Sequence, residues 1–316
     1  MQPRSPNAPE SLAEALTQAV SAFGRAMAAA NLAEDRKMQG VAAALYGLGV
    51  ALALAERGLT PAEIRSIVSP ARELLRASPF ISRIQSWPRG YQGDFETIEM
   101  LVDGVPAVAP DHPAYWIDWY ALNTALAQQH RNKLDFQGAA VGEGIESGDR
   151  ILALGAGGAR DLAALRWPLG PQLCFDLVDI DPAALELARA RLAWAHELRC
   201  FQTDALRHLR GRGIAYRRIV AGGLFDYLPD RAVVLLLRLA ARRLLPERGR
   251  IVFTNLAPGN PYRPWIEHLA DWRMHYRDRE SLTALAAAAG LADWRLKIET
   301  DATGLALLGT LDPPGG

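Results

Sequence analysis

The sequence has little cysteine: Cys174 and Cys200 are its only two in 316 residues. Two thiols cannot build a disulfide framework or an all-thiolate zinc site, and they suit a reducing cytoplasm. An excess of charge is missing too, with 35 Lys plus Arg against 35 Asp plus Glu. With no basic run either, a nucleic-acid partner is not expected. A membrane-length apolar run is also lacking. The longest, Gly40 to Ala55, is shorter than the ~20 residues a span needs, and Ala and Gly dominate it. It reads as a buried helix rather than a membrane span. The first residues show no apolar core behind a basic head, so no secretory signal is expected. His268 and His275 lie seven apart on an expected helix, with no third ligand beside them, so no metal site is expected. No internal repeat is found. What is present is an ordinary globular composition, 50% hydrophobic and 22% charged, with length for one large domain or two modest ones. The Ala-, Leu- and Arg-rich, lysine-poor usage suggests a bacterial, GC-rich genome.

The first third reads as helical. Ser11-Leu12-Ala13-Glu14 looks like a capping box opening a helix to about Ala30. A second helix runs over 34–57 until Gly58 stops it. Thr60-Pro61-Ala62-Glu63 is another capping box with proline at the first helical position, opening a third helix to about Ala77. Residues 84–113, rich in Gly, Pro and aromatics, read as a shaped loop. A helix is expected over 114–141. Beyond Gly148, short apolar runs alternate with helices: 151–154, 175–179, 199–203, 218–221 and 250–254. That alternation predicts a parallel sheet covered on both faces. Residues 294–300 and 305–311 then read as a terminal antiparallel hairpin. The expected divisions are a helical bundle over 1–83, a covering loop and connecting helix over 84–147, and an α/β domain over 148–316.

The chemistry gathers at the strand ends. The first strand runs into Gly155-Ala156-Gly157-Gly158-Ala159-Arg160, where glycine lets the chain turn tightly and a ligand approach the backbone. The second ends in Asp179-Ile180-Asp181-Pro182. Asp181 before a proline is a natural helix cap. Asp179, about 20 residues past the glycine turn, stands where a carboxylate accepts hydrogen bonds from ribose hydroxyls. Asp204 and Ala205 end the third strand, and Gly222-Gly223-Leu224-Phe225-Asp226 the fourth. Together these ends point to a nucleoside cofactor. A dinucleotide fingerprint read from Gly155 would want glycine where Arg160 stands. That departure, Asp204 and the terminal hairpin favour S-adenosylmethionine over NAD.

On these residues, 148–316 resembles a class I S-adenosylmethionine-dependent methyltransferase, with a Rossmann-like seven-stranded sheet. The resemblance implies that Gly155, Ala156, Gly157 and Arg160 meet the methionine part of the cofactor. It implies that Asp179 and Ile180 hold the ribose side, and that Asp204 and Ala205 lie at the adenine. Gly222 and Phe225 complete the expected lining. Three further segments resemble a narrower group, the bacterial 3-hydroxypalmitic acid methyl ester biosynthesis methyltransferases. They are Pro88-Arg89-Gly90-Tyr91-Gln92-Gly93-Asp94-Phe95, Ala221-Gly222-Gly223-Leu224-Phe225-Asp226-Tyr227-Leu228-Pro229-Asp230, and Asp271-Trp272-Arg273-Met274-His275-Tyr276-Arg277. Arg89 and Tyr91 are then expected to close over the cofactor. The aromatic segment 115–120 departs from that group and suits a different substrate pocket.

Methyl transfer from a sulfonium is an in-line displacement that needs alignment and exclusion of water. A carboxylate acceptor is already ionised at neutral pH and needs no base. It would want a clamp, for which Arg89, Tyr91, Tyr276 and Arg277 are candidates. A nitrogen, phenol or carbon acceptor, as in natural-product biosynthesis, would want a base, for which His275, His268, Asp226 or Glu96 could serve. A non-catalytic cofactor-binding protein is the third alternative. The expected partner is a small molecule in the cytoplasm, and the N-terminal helices could serve as a lid or as a homodimer interface.

Overall fold

The computed structural model describes residues 9–28, 34–166, 172–211, 213–246 and 248–315. It divides into two compact units. One comprises residues 1–127 with 260–273, and the other 128–259 with 274–316. The boundaries expected at 83 and 147 do not coincide with this division, because the second unit already begins inside a helix that precedes the sheet.

The first unit is helical. Its elements are α1 (Pro9–Ala28), α2 (Glu34–Ala55), α3 (Pro61–Leu75), α4 (Pro79–Ser86), α5 (Phe95–Asp103) and α6 (Tyr115–Asn123), with the later helix α12 (Arg263–Leu269). The Thr60 box forms as expected: Thr60 N donates to Glu63 Oε2 at 2.7 Å, and Glu63 N to Thr60 Oγ1 at 3.3 Å. The Ser11 box does not open its helix. α1 starts at Pro9, so Ser11 lies inside it, and proline suits a first turn. The expected end of that helix at Ala30 lies outside the described residues. The run Gly40–Ala55 sits within α2, which buries Val41, Leu45, Leu48 and Leu52. By length and composition α2 is long and apolar enough to cross a membrane.

Two expected stretches are corrected. Residues 84–113 are not all loop: Asp94 caps α5 by accepting from Thr97 N at 3.0 Å, a signal hidden among the glycines. The single helix expected over 114–141 is two, α6 and α7 (Ala125–Gly142). The chain is extended at Thr124, and the Asn123 side chain turns back to donate to Trp119 O at 2.9 Å. Nor do His268 and His275 share a helix. α12 ends at Leu269 and the chain from 270 to 278 is irregular, with Asp271 left-handed at φ +52°. Asp271 is held there by Arg65, at 2.8 Å, and by Arg72.

The second unit carries the sheet. Its strands are β1 (Arg150–Leu154), β2 (Cys174–Asp179), β3 (Glu197–Gln202), β4 (Arg218–Ala221), β5 (Arg250–Leu256), β6 (Arg295–Thr300) and β7 (Ala306–Asp312). They lie in the order β3-β2-β1-β4-β5-β7-β6. The first five are parallel, and β7 pairs antiparallel with both β5 and β6. This is the Rossmann-like seven-stranded sheet with a terminal antiparallel hairpin that the sequence predicts. Because side chains alternate along a strand, Ile151, Ala153, Phe175, Leu177, Val220 and Val252 form one core. That core packs with α7, α8 (Arg160–Ala163) and α9 (Pro182–Arg191). Leu152, Leu154, Val178, Ile219, Ala221 and Phe253 form the other, with α10 (Ala205–Arg210), α11 (Asp230–Ala241) and α13 (Arg279–Ala288). Gly309 on β7 is required in that register, since any Cβ would collide with the Phe253 ring.

Candidate active site

The carboxyl edge of the sheet is built around a carboxylate. Asp179 ends β2 and is 8% exposed. Its Oδ2 accepts from Gly157 N at 2.8 Å and its Oδ1 from Asp181 N at 2.9 Å. Its carbonyl accepts from Thr203 N at 2.9 Å. One residue thus ties the turn after β1 to the ends of β2 and β3. Burial raises its carboxyl above the ordinary 3.8, against the pull of those backbone donors. The turn needs its glycines: Gly155 has φ +62° and Gly157 φ +50°, a region that side chains disfavour. Ala156 N donates to Val178 O at 3.0 Å, and Arg160 opens α8. Ile180, directly after Asp179, is 54% exposed, an apolar surface at the rim.

The other expected cofactor residues have local duties. Asp181 caps α9 through Ala183 N at 3.0 Å, as expected. Asp204 caps α10 through Arg207 N at 3.0 Å, and Ala205 is the first residue of that helix. Phe225 is fully buried and stacks on Phe253, with ring centroids 4.9 Å apart. It is a core side chain, a correction to its expected place in the lining. A Cβ at Gly222 would collide with the Gln137 amide, so this glycine lets α7 lie directly on the end of β4.

Two expected catalytic residues are corrected by their partners. Asp226 is 2% exposed. Lys133 Nζ bonds its Oδ2 at 2.6 Å, while Asn255 Nδ2 and Leu256 N bond its Oδ1 at 3.0 and 2.7 Å. A carboxylate with both oxygens so engaged is a structural anchor rather than a base. Arg277 is 4% exposed. Its guanidinium donates to Phe225 O and Asn255 Oδ1, both at 2.8 Å, to Leu228 O at 2.6 Å and to Asp230 at 2.9 Å. It braces the segment after β4 and is not a substrate clamp. His275 is exposed, with its backbone N donating to Asp226 O at 2.7 Å. Tyr276 beside it is half-buried.

In the helical unit, Trp87, Gly90 and Gly93 all have positive φ and shape the loop before α5. Arg89 donates to Glu96 Oε1 at 2.9 Å and lies over the Phe95 ring at 4.6 Å. That bond from Arg89 is the largest reason the Glu96 carboxyl stays below its ordinary value. Glu96 is therefore a paired anion. Tyr91 is half-buried in the same loop. His268 pairs with Glu56 Oε1 at 2.9 Å. The rings of Tyr115 and Trp116 meet edge-on at 4.8 Å on α6. Asp118, buried two residues further along α6, accepts from Ser78 Oγ and from Phe80 N.

Sequence reasoning missed the polar face of α7. Gln129, Lys133 and Gln137 are all buried there, spaced four apart on one helical face. The spacing was visible, but such a stripe ordinarily faces water. His130 is buried beside them, and burial, then Lys133 and Arg131, hold its imidazole well below 6.5. The unfolded chain therefore binds a proton near pH 6.5 that the folded chain refuses, so stability falls as pH drops below about 6.5. Asp161, pushed up to about 6 by burial, has the opposite sign between about 3.8 and 6. We expect His130→Gln to lose stability less steeply than the wild type between pH 7 and 5.5 in urea titrations. Parallel curves for the two proteins would refute this.

Among the described residues, no group of three or more His, Cys, Asp or Glu could hold a metal ion. No protein-family profile and no curated protein matches this chain. Among solved structures the chain is similar to a possible exported protein from Bordetella parapertussis. They share 20% identity, covering 88% of this chain and 97% of that one, with a TM-score of 0.61. It is also similar to magnesium protoporphyrin IX methyltransferase from Synechocystis PCC 6803 with bound S-adenosylhomocysteine. There the identity is 11%, over 77% of this chain and 99% of that one, with a TM-score of 0.50. At such identities the likeness speaks for the fold, and with the strand order it gives a Rossmann-like methyltransferase fold.

Proposed function

We propose that this chain is an S-adenosylmethionine-dependent methyltransferase acting on a small molecule. The observation that carries the reading is Asp179. Its carboxylate ties the glycine turn, through Gly157 N, to the cap of α9, through Asp181 N. A carboxylate has about four acceptor positions, more than its backbone donors fill, so acceptor capacity remains for ribose hydroxyls. The turn beside it presents backbone without Cβ atoms at Gly155 and Gly157. The apolar Ile180 follows on the rim. This donor and acceptor set fits a ribose flanked by a small polar tail and a flat ring. Ligands of such sheets bind outside the carboxyl ends of the strands. A methyltransferase of the same fold was solved with S-adenosylhomocysteine, which supports the same cofactor here.

Bound there, the cofactor would supply an electrophilic methyl group on its sulfonium. The chain would bind the ribose at Asp179 and shape the turn. A carboxylate acceptor, giving a methyl ester, draws on the motif resemblance and on needing no base. The arginines proposed to clamp it are otherwise engaged, Arg277 by four acceptors and Arg89 by Glu96. That engagement favours the second reading, a nitrogen, phenol or carbon acceptor of the natural-product kind. A reducing, cytoplasmic location is proposed from Cys174 and Cys200, which are free thiols.

Calorimetric titration with S-adenosylhomocysteine, S-adenosylmethionine and NADH tests the cofactor. We expect micromolar binding of both sulfur compounds and none of NADH. NADH binding without either sulfur compound overturns the reading.

A further inference from the structure

The zero net charge conceals a segregation. Residues 205–245 hold nine arginines, no lysine and two acids, Asp226 and Asp230. Neither acid is free to offset them: Asp226 is buried on Lys133, and Asp230 pairs with Arg277. The stretch includes α10 and α11, which share one core on the same side of the sheet. α11 buries Val233, Leu236, Leu237 and Ala240. Arg231, Arg238 and Arg242, spaced seven and four apart, run along its opposite, exposed side. α10 adds the exposed Arg207 and Arg210. Arg243 staples the loop after α10 to the end of α11, donating to Gly211 O at 2.9 Å and to Ile214 O at 3.2 Å. Among the described residues none of these six arginines makes an ion pair. In the stapled loop, Ile214 is 42% exposed, and Val234 and Leu235 lie half-buried between the arginines of α11.

We infer that this face of α10 and α11 docks on an anionic membrane surface, as a peripheral contact. The inference stands independently of the methyltransferase reading. Unpaired cations on one face seek an anionic partner, and the planar guanidinium matches phosphate through two parallel hydrogen bonds. Phosphodiesters are presented by lipid headgroups and by nucleic acids, and the side chains around the arginines favour the lipid. Neither α10 nor α11 carries Phe, Tyr or Trp, so there is no platform on which bases could stack. What lies among the cations is aliphatic: the exposed Ile214, with Val234 and Leu235. An aliphatic tip ringed by arginine suits the boundary between headgroups and acyl chains. The main apolar side of α11 faces the core, so the helix rests on the headgroups and Ile214 is the residue that enters them. Clusters of four to eight such cations are enough for anionic lipid.

The test is vesicle co-sedimentation of the full-length protein. The probes are vesicles of phosphatidylglycerol and phosphatidylcholine in equal parts, vesicles of phosphatidylcholine alone, and a single-stranded RNA oligonucleotide. We expect the wild type to bind the anionic vesicles, less so as salt is raised, and not the neutral ones. Each arginine near such a surface is worth about fivefold in affinity. The triple variant Arg210→Gln, Arg231→Gln, Arg242→Gln is therefore expected to bind about 100-fold more weakly. Its three side chains make no hydrogen bond among the described residues, so it is expected to unfold at the wild-type temperature. Ile214→Ser keeps every charge and is expected to weaken binding about tenfold through lost apolar burial. It carries the test alone should the triple variant fold poorly. A control with the same loss of charge in the helical unit, Arg25→Gln, Arg36→Gln, Arg57→Gln, is expected to bind as the wild type does. The proposal is overturned if the wild type ignores anionic vesicles, if the control loses as much as the triple variant, if Ile214→Ser binds unchanged, or if RNA is bound through these arginines and vesicles are not.

Discussion

Replacing Asp179 with alanine is expected to weaken S-adenosylhomocysteine binding by roughly 30- to 150-fold, with the fold intact. Two hydrogen bonds from hydroxyls to one carboxylate are at stake. Bonds to charged groups contribute about 1.5–3 kcal/mol each, and each 1.4 kcal/mol is tenfold in affinity. Part of the cost is partly recovered by water in the emptied site, so a net loss of about 2–3 kcal/mol is the reasonable figure. The same side chain also holds Gly157 N and Asp181 N, so alanine loosens the turn as well. Asp179→Asn separates the two effects. It keeps an oxygen for one backbone donor while losing the charge and one acceptor, and an intermediate loss is expected. The wild type carries a second signature. Its carboxyl is raised by burial, and only the ionised form accepts two hydroxyl protons. Affinity is therefore expected to fall as pH drops toward that raised value, at a pH where an ordinary aspartate would still be charged. Calorimetry across pH 4–8 reads both effects. Equal affinity in wild type and Asp179→Ala would remove Asp179 from the site.

The position of Asp179 beside the glycine turn was legible in the sequence, because it ends an apolar strand about 20 residues beyond that turn. The sheet was legible for a related reason. Continuous apolar runs such as Ile151–Leu154 bury both faces, and few other structures allow that. The hairpin of β6 and β7 announced itself through the Asp301–Gly304 turn. What failed was whatever depends on a distant partner. Asp226 and Arg277 have the residue types of a base and a clamp. Sequence could not reveal that Lys133, 93 positions away, closes the first, or that Asn255 and two carbonyls close the second. Phe225 followed a glycine pair at a strand end, and only the stack on Phe253 shows it to be core. Gln129 failed in the opposite direction. Polar residues four apart on a helix look like a wet face, and only the packing of α7 shows that Gln129, Lys133 and Gln137 are buried.

The largest loss of stability is expected from breaking the Lys133–Asp226 pair. Both side chains are 3% exposed, with Nζ and Oδ2 2.6 Å apart. Removing one member of such a pair leaves an uncompensated buried charge and costs about 3–5 kcal/mol. Lys133→Met keeps the length and apolar body of the stem and strands Asp226 in that way. Asp226→Asn strands Lys133, and a milder loss is expected, because the amide oxygen still accepts from Leu256 N and Asn255 Nδ2. The double variant is the informative one. With the ammonium and the carboxylate both gone, no buried charge is left, and most of the loss should be recovered. Urea unfolding of the four proteins gives the coupling directly. If the double variant is as unstable as the sum of the singles, the two residues act independently. The pair also bears on catalysis. Were Asp226 a base, Asp226→Asn would abolish methyl transfer whatever stands at 133. If it only anchors the segment after β4 to α7 and to the end of β5, the double variant that regains stability regains turnover with it. The joint recovery follows from the geometry, in which both oxygens of Asp226 are already engaged by Lys133, Asn255 and Leu256.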